Sequence, residues 1–271
     1  MPLGANRWGK SGVRVSKLLR GDDADDFVDV TVQVLLEGDV APAHTEGDNA
    51  SVVPTDTMRN TVYGLAQSHL TRDLERFGEV LCDHFLAKEG VEGAAVLIEE
   101  NLWTRKSGHG FVGGSSERRV ARVSRGAETS TTAGVQGLVV LKTTGSAFEG
   151  FPRDEYTVLP DASDRLLATS ITADWAYSSL PEDTSATWEL VRQVLLDRFF
   201  EDWSASVQHQ GYLMGEAVLA AVAEVSSINF RLPNQHHLPF DLFTRFGLEW
   251  EGTVFHPVSE PYGDIYLTVT R

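Results

Sequence analysis

Valines at positions 28, 30, 32 and 34 alternate with Asp29, Thr31 and Gln33 in the run FVDVTVQVLLEG. A period of two marks a strand with one buried face. A shorter alternation precedes it, Val13 and Val15 against Arg14 and Ser16, and the acidic turn GDDADD joins the two into a hairpin. The stretch GDVAPAHTEGDNAS has loop composition. Helical spacing follows: Met58, Val62, Leu65 and His69 in TMRNTVYGLAQSHL, then Leu74, Phe77, Leu81 and Phe85 in a second helix with Thr71 as its N-cap and Gly90 as its stop. GAAVLIEENLW and, beyond a glycine- and serine-rich loop, RRVARVSRG read as two further strands.

The same order then repeats. VQGLVVLKTT and LLATSITADWAY are strands separated by a long connection, and TWELVRQVLLDRFFEDW is a helix with Val191, Val194, Leu195 and Phe199 on its apolar stripe. GYLMGEAVLAAVAEVSS is the next helix, and SSINFRLP and DIYLTVTR close the chain as strands. Two strand-strand-helix-helix-strand-strand units, residues 8–130 and 131–271, predict an α+β fold with an antiparallel sheet and helices on one face. Such a sheet leaves edges to be covered, for which assembly with further copies is the direct solution.

Composition narrows the function. The chain has 271 residues and a formal net charge of −16, which disfavours nucleic-acid or anionic-membrane partners. An anionic substrate would need a local cationic pocket. One cysteine, Cys82, leaves no internal disulfide and no multi-cysteine metal site. With no apolar leader, no apolar run approaching about 18 residues, and LTVTR rather than a peroxisomal address at the end, the expected location is the cytoplasm.

Gly4 to Ser11, GANRWGKS, matches the phosphate-loop pattern G-x-x-x-x-G-K-[ST]. That loop needs a buried strand before it and a helix after it, since the helix N-terminus and loop amides make the anion site. Three residues precede Gly4 and strand alternation follows Ser11, so a nucleotide hydrolase is only the alternative reading. Four other stretches stand out. SVVPTDTMRNTVYG sets Thr55 and Asp56 at a helix start, where Asp56 or Thr57 can cap. TGSAFEGFPRDEYTVLPDASDR crowds aromatic, acidic and basic residues into one connection, and SASVQHQ reads as another cap. RLPNQHHLPFDL carries Asn234, His236 and His237 between two prolines; neighbouring strand residues face opposite ways, which weakens a metal reading there.

WGKSGVRV, TDTMRNT, LKTTGSAFEGFPRDEYTVLP, SASVQ and LPNQHH, in this order, resemble the urate oxidase (uricase) family over nearly the whole chain. The resemblance implies the tunnelling fold, in which tandem modules pair into barrels, and a homotetramer with a central tunnel and sites shared between subunits. It implies cofactor-free oxidation of urate by dioxygen to 5-hydroxyisourate and hydrogen peroxide, with neither metal nor flavin. By position, Lys10 hydrogen-bonded to Thr55, with His236 beside them, would form a proton relay. Phe148 would stack under the purine, Arg165 and Gln208 would hold its two edges, Val207 would give its backbone N–H, and Asn234 would hold dioxygen above the ring. Thr55 and Asp56 would reach this pocket from a neighbouring subunit. The family's long N-terminal decorations are not expected, and Pro54 stiffens the approach to Thr55. A different tunnelling-fold protein that binds another purine or a pterin is the remaining alternative.

Overall fold

In a computed structural model, residues 3–201, 203–240 and 242–271 are described. The first unit runs β1 (Trp8–Leu19), β2 (Asp26–Gly38), α1 (Ala41–Thr45), α2 (Thr55–His69), α3 (Leu74–Leu86), β3 (Val91–Asn101), the short pair β4 (Thr104–Arg105) and β5 (Phe111–Val112), and β6 (Arg118–Arg125). The second runs β7 (Ser130–Lys142), β8 (Leu167–Tyr177), α4 (Thr184–Glu201), α5 (Val207–Ala221), β9 (Val225–Pro233), the hairpin β10 (His236–Pro239) and β11 (Phe255–Val258), and β12 (Asp264–Thr270). Both units therefore have the repeated order expected. Asp202, which the helical pattern of α4 also includes, lies outside the described residues.

Eight strands form one antiparallel sheet in the order β1-β2-β3-β6-β7-β8-β9-β12. Its register explains why all the long helices share a side. Val13, Val32, Ile98, Ala121, Ala133, Trp175, Ile228 and Val269 are successive cross-strand partners, and every one is buried. On the neighbouring row, facing the other way, are Arg14, Thr31, Glu99, Val120, Gly134, Asp174, Asn229 and Thr268. The apolar side carries two clusters. Met58, Phe77, Leu81 and Phe85 pack on the first four strands, and Trp188, Val191, Leu195, Phe199 and Met214 on the last four. The only cysteine, Cys82 on α3, is buried in the first cluster with its Sγ 3.5 Å from the carbonyls of Ala94 and Val123. Burial pushes its thiol pKa up to about 12.

Four local expectations change. The loop after β2 contains the single-turn helix α1, started by Pro42, whose fixed φ suits a first helical turn. α2 begins at Thr55 with no side-chain cap, because the Asp56 carboxylate instead meets Arg59 at 2.8 Å and Asn60 Nδ2 at 3.1 Å. Thr71 is not the cap of α3 either; its hydroxyl accepts from Asp73 N at 3.1 Å, and the N-cap position is Asp73. Gly90, with φ +78°, turns the chain into β3 rather than ending α3 directly.

Asp73 does its capping on the other unit. Its Oδ1 accepts from Thr184 N and Thr184 Oγ1, both at 2.9 Å, and from Ser185 N at 3.3 Å, at the start of α4. Arg119 reinforces the junction: Nη2 pairs with the fully buried Glu75 at 2.8 Å, while Nη1 donates to Arg72 O at 2.8 Å and Ser185 Oγ at 3.3 Å. A carboxylate at a helix N-terminus satisfies otherwise free N–H groups and suits the helix dipole. Replacing Asp73 with Ala should therefore cost about 1–2 kcal/mol of unfolding free energy, read as a lower urea midpoint at constant m-value.

Candidate active site

The connection from β7 to β8, residues 143–166, is folded back on itself. Phe148 N donates to Ala162 O at 2.7 Å and Ala162 N returns a bond to Phe148 O at 3.0 Å, while Arg165 N donates to Ser146 O at 2.7 Å. The guanidinium of Arg165 thereby lies 5.1 Å from the Phe148 ring centroid, and Phe148 stacks on Phe151 at 4.8 Å and 13°. The Arg165 guanidinium has no carboxylate partner among the described residues, its Nε is buried without a hydrogen bond, and burial lowers its pKa from the usual arginine value. An aromatic face beside an unpaired, partly buried cation has the chemistry to hold a flat anion.

α5 supplies the next two residues. Ser206 caps it, with Oγ accepting from His209 N at 3.1 Å, and Gln210 N donates to Ser206 O at 3.0 Å. The amides of Val207 and Gln208, first and second in the helix, have no intrahelical acceptor. Bonds from Ala147 N to Ser204 O (2.8 Å) and from Ser204 N to Gly145 O (3.0 Å) tie this helix start to the Phe148 loop. The SASVQ stretch is thus a cap, as expected, although α5 starts four residues before the GYLM run that suggested it.

Asn234 and His236 lie at the same end of the sheet. Asn234 bridges to Thr169 near the start of β8, Asn234 N donates to Gly263 O at 2.8 Å, and its Nδ2 lies 3.4 Å from His236 Nδ1. His237 turns its Nδ1 toward its own chain, 3.1 Å from Gln235 O. Among the described residues, no three His, Cys, Asp or Glu side chains gather as metal ligands. An open recess of about 720 Å³ reaches Asn234 and His236 from the Arg231 and Tyr262 side.

Lys10, Thr55 and Asp56 are elsewhere. α2 runs alongside β1 in the same direction: Trp8 Nε1 donates to Val53 O at 3.1 Å, Tyr63 to Arg14 O at 2.9 Å, and Lys17 Nζ to Leu70 O at 2.8 Å. That register sets Lys10 level with the first turn of α2, where Thr55 and Asp56 are exposed. The expected hydrogen bond between Lys10 and Thr55 is not formed among the described residues, and His236 is not beside them. Five strand steps of about 4.8 Å, roughly 24 Å, separate β1 from β8. The alternating directions also place Lys10 and Arg165 at opposite ends of the sheet. Within one chain the predicted residues therefore fall into two separate groups at opposite ends of the sheet.

Comparison with known proteins identifies the family. The family model described as Uricase matches residues 6–132 and again residues 131–266. The uricase of Arthrobacter globiformis is 39% identical over 275 residues, covering 99% of this chain and 90% of that protein. This chain belongs to the uricase family. The uricase of Dictyostelium discoideum is 38% identical, with 98% and 96% covered. The crystal structure of the Arthrobacter globiformis uricase superposes with a TM-score of 0.95 at 40% identity, covering 100% of this chain and 95% of that one.

The structure also accounts for GANRWGKS. Gly9, Lys10 and Ser11 lie inside β1, where Gly9 and Lys10 pair with β2 and Ser11 falls at an irregularity before Val13, so no helix N-terminus follows the glycines. Gly9 is there for another reason: a Cβ would come within 2.0 Å of Val34 O. Millimolar Mg-ATP should accordingly leave the melting temperature unchanged, whereas a ligand at a hundred times its Kd adds about 2.7 kcal/mol. An ATP-dependent rise that Gly4→Ala abolishes would restore the nucleotide reading.

Proposed function

We propose that this protein is a urate oxidase that joins urate, dioxygen and water to give 5-hydroxyisourate and hydrogen peroxide without metal or flavin. The observation that carries the reading is the unpaired Arg165 guanidinium over Phe148, in a chain whose net charge is −16. Urate is a planar purine anion. Phe148 offers it a stacking face, Arg165 two parallel N–H donors, and Gln208 an amide with donor and acceptor together. The free N–H of Val207 at the start of α5 favours negative charge on the same edge.

The remaining residues handle protons and oxygen. Asn234 holds dioxygen, and later water, on the ring face opposite Phe148. Asn234 Nδ2 lies 3.4 Å from His236 Nδ1, which leaves the Nε2 side of that imidazole to exchange a proton. Lys10 and Thr55 complete the relay, and Asp56 borders it. Once urate is deprotonated, the electron-rich dianion passes two electrons to dioxygen, which leaves as hydrogen peroxide, and water adds at C5. The protein's part is to hold the partners together and exclude bulk water.

The separation of these two groups supports assembly. A two-fold axis that sets the Lys10 corner of one chain against the Asn234 corner of another makes two equivalent complete sites. Further pairing, to a homotetramer around a tunnel, would also cover the free outer edges of β1 and β12.

Metal-stripped protein mixed with urate in air should erase the near-ultraviolet absorbance of urate and release one peroxide per urate. No loss would overturn the reading, and loss abolished by chelator and restored by zinc or copper would overturn the metal-free chemistry. Arg165→Lys keeps charge but not the two-pronged contact, so urate binding should weaken by about 1–3 kcal/mol. Thr55→Ala and Arg165→Ala should each be nearly inactive alone. Refolded together in equal amounts, they should recover about a quarter of wild-type turnover, since random mixing leaves a quarter of shared sites intact. No recovery despite mixed oligomers in the mass spectrum would place both residues in one subunit's pocket.

A further inference from the structure

Asp164 immediately precedes Arg165 and is exposed, yet both of its carboxylate oxygens are engaged. Oδ2 accepts from Thr144 Oγ1, and Oδ1 accepts from Gly145 N at 2.8 Å and Ser146 N at 3.3 Å. Arg165 N returns a bond to Ser146 O at 2.7 Å. The chain entering the 143–166 connection is thus clasped to the chain leaving it. Gly145 has φ +79°, a conformation that glycine adopts without strain, and the bend aims two successive amides at one oxygen.

A third segment meets the clasp. Gly145 O accepts from Ser204 N at 3.0 Å and Ala147 N donates to Ser204 O at 2.8 Å, so the residues leading into α5 are registered against the same bend. Phe148 comes two residues after Ser146, Arg165 directly after Asp164, and Gln208 four residues after Ser204. All three substrate contacts radiate from one carboxylate.

Its placement also keeps the arginine available. An acid beside a substrate-binding guanidinium would ordinarily neutralise it. Here the oxygens are occupied by the Thr144 hydroxyl and two amides, and no ion pair joins Asp164 to Arg165 among the described residues. We propose that Asp164 is a positioning residue for substrate binding, setting the backbone from which Phe148, Arg165 and the first turn of α5 converge on the ligand. This inference rests on the reading of that cluster as the urate platform. The Thr144 hydroxyl, with the amides, holds the Asp164 pKa below the usual carboxylate value. The clasp is therefore charged throughout the neutral range, and its contribution is lost only as pH falls through that lowered pKa.

The test compares Asp164→Ala, Asp164→Asn and wild type by steady-state kinetics with urate and by amide hydrogen exchange over residues 144–148. Alanine removes the acceptor, so KM should rise about tenfold or more with kcat within about threefold, and the Gly145 and Ser146 amides should lose protection. Asparagine keeps an oxygen for those amides and should bring KM back to within about threefold of wild type. A melting temperature that drops while KM and exchange stay put would overturn the proposal. So would a KM for the asparagine variant as high as that for alanine. If wild type itself consumes no urate, the urate reading falls, whereas exchange still reports on the clasp, so the two failures are told apart.

Discussion

One buried row, unbroken from Val13 on the first edge strand to Val269 on the last, fixes the side of the sheet on which every long helix must pack. A slip of one residue in any strand would turn its member of that row to the polar face. Because β6 and β7 are joined in register, Ala121 against Ala133, the two repeated units share a single sheet rather than stacking as separate layers. The strand order then sets Lys10 and Arg165 at opposite ends of that sheet, five strands apart, so no local feature of either loop decides their separation.

The periodic parts of the sequence were therefore good guides, and the non-periodic parts less so. Val28 to Val34, and Leu74, Phe77, Leu81 and Phe85, announce their elements because burial imposes the repeat. Thr71 reads as the cap of α3 in the sequence, whereas the N-cap position is Asp73, whose carboxylate serves donors at Thr184 and Ser185, more than a hundred residues away, which no local rule can see. α1 hides in a stretch of turn residues since one helical turn has no period to display. The start of α5 was visible in Ser206 but obscured by the glycine at 211, which the helix tolerates because its bare Cα packs against Leu267 and Leu232.

The candidate site shows the same division. The residue types of Phe148, Arg165, Gln208, Asn234, His236, Lys10 and Thr55 came from motif resemblance, since neither spacing nor charge pattern brings them together. What the structure adds is their grouping, the absence of an acid partner for Arg165 among the described residues, and the registration of the Phe148 loop against α5. Asp164 had no sequence signal of its own. Its importance comes from a hairpin-like clasp closed across about twenty residues of chain, a relation that exists only once the connection folds back.

Cys82 has a bearing on how such an enzyme ages. A catalyst that releases hydrogen peroxide works in a self-made oxidant, and protein thiols react with peroxide as thiolates. With its pKa raised to about 12 by burial and no exposed surface, Cys82 stays a thiol at neutral pH. The packing between α3 and strands β3 and β6 thus also keeps the chain's single sulfhydryl protonated and out of solvent, which under the urate oxidase reading shields it from the peroxide that the reaction would release.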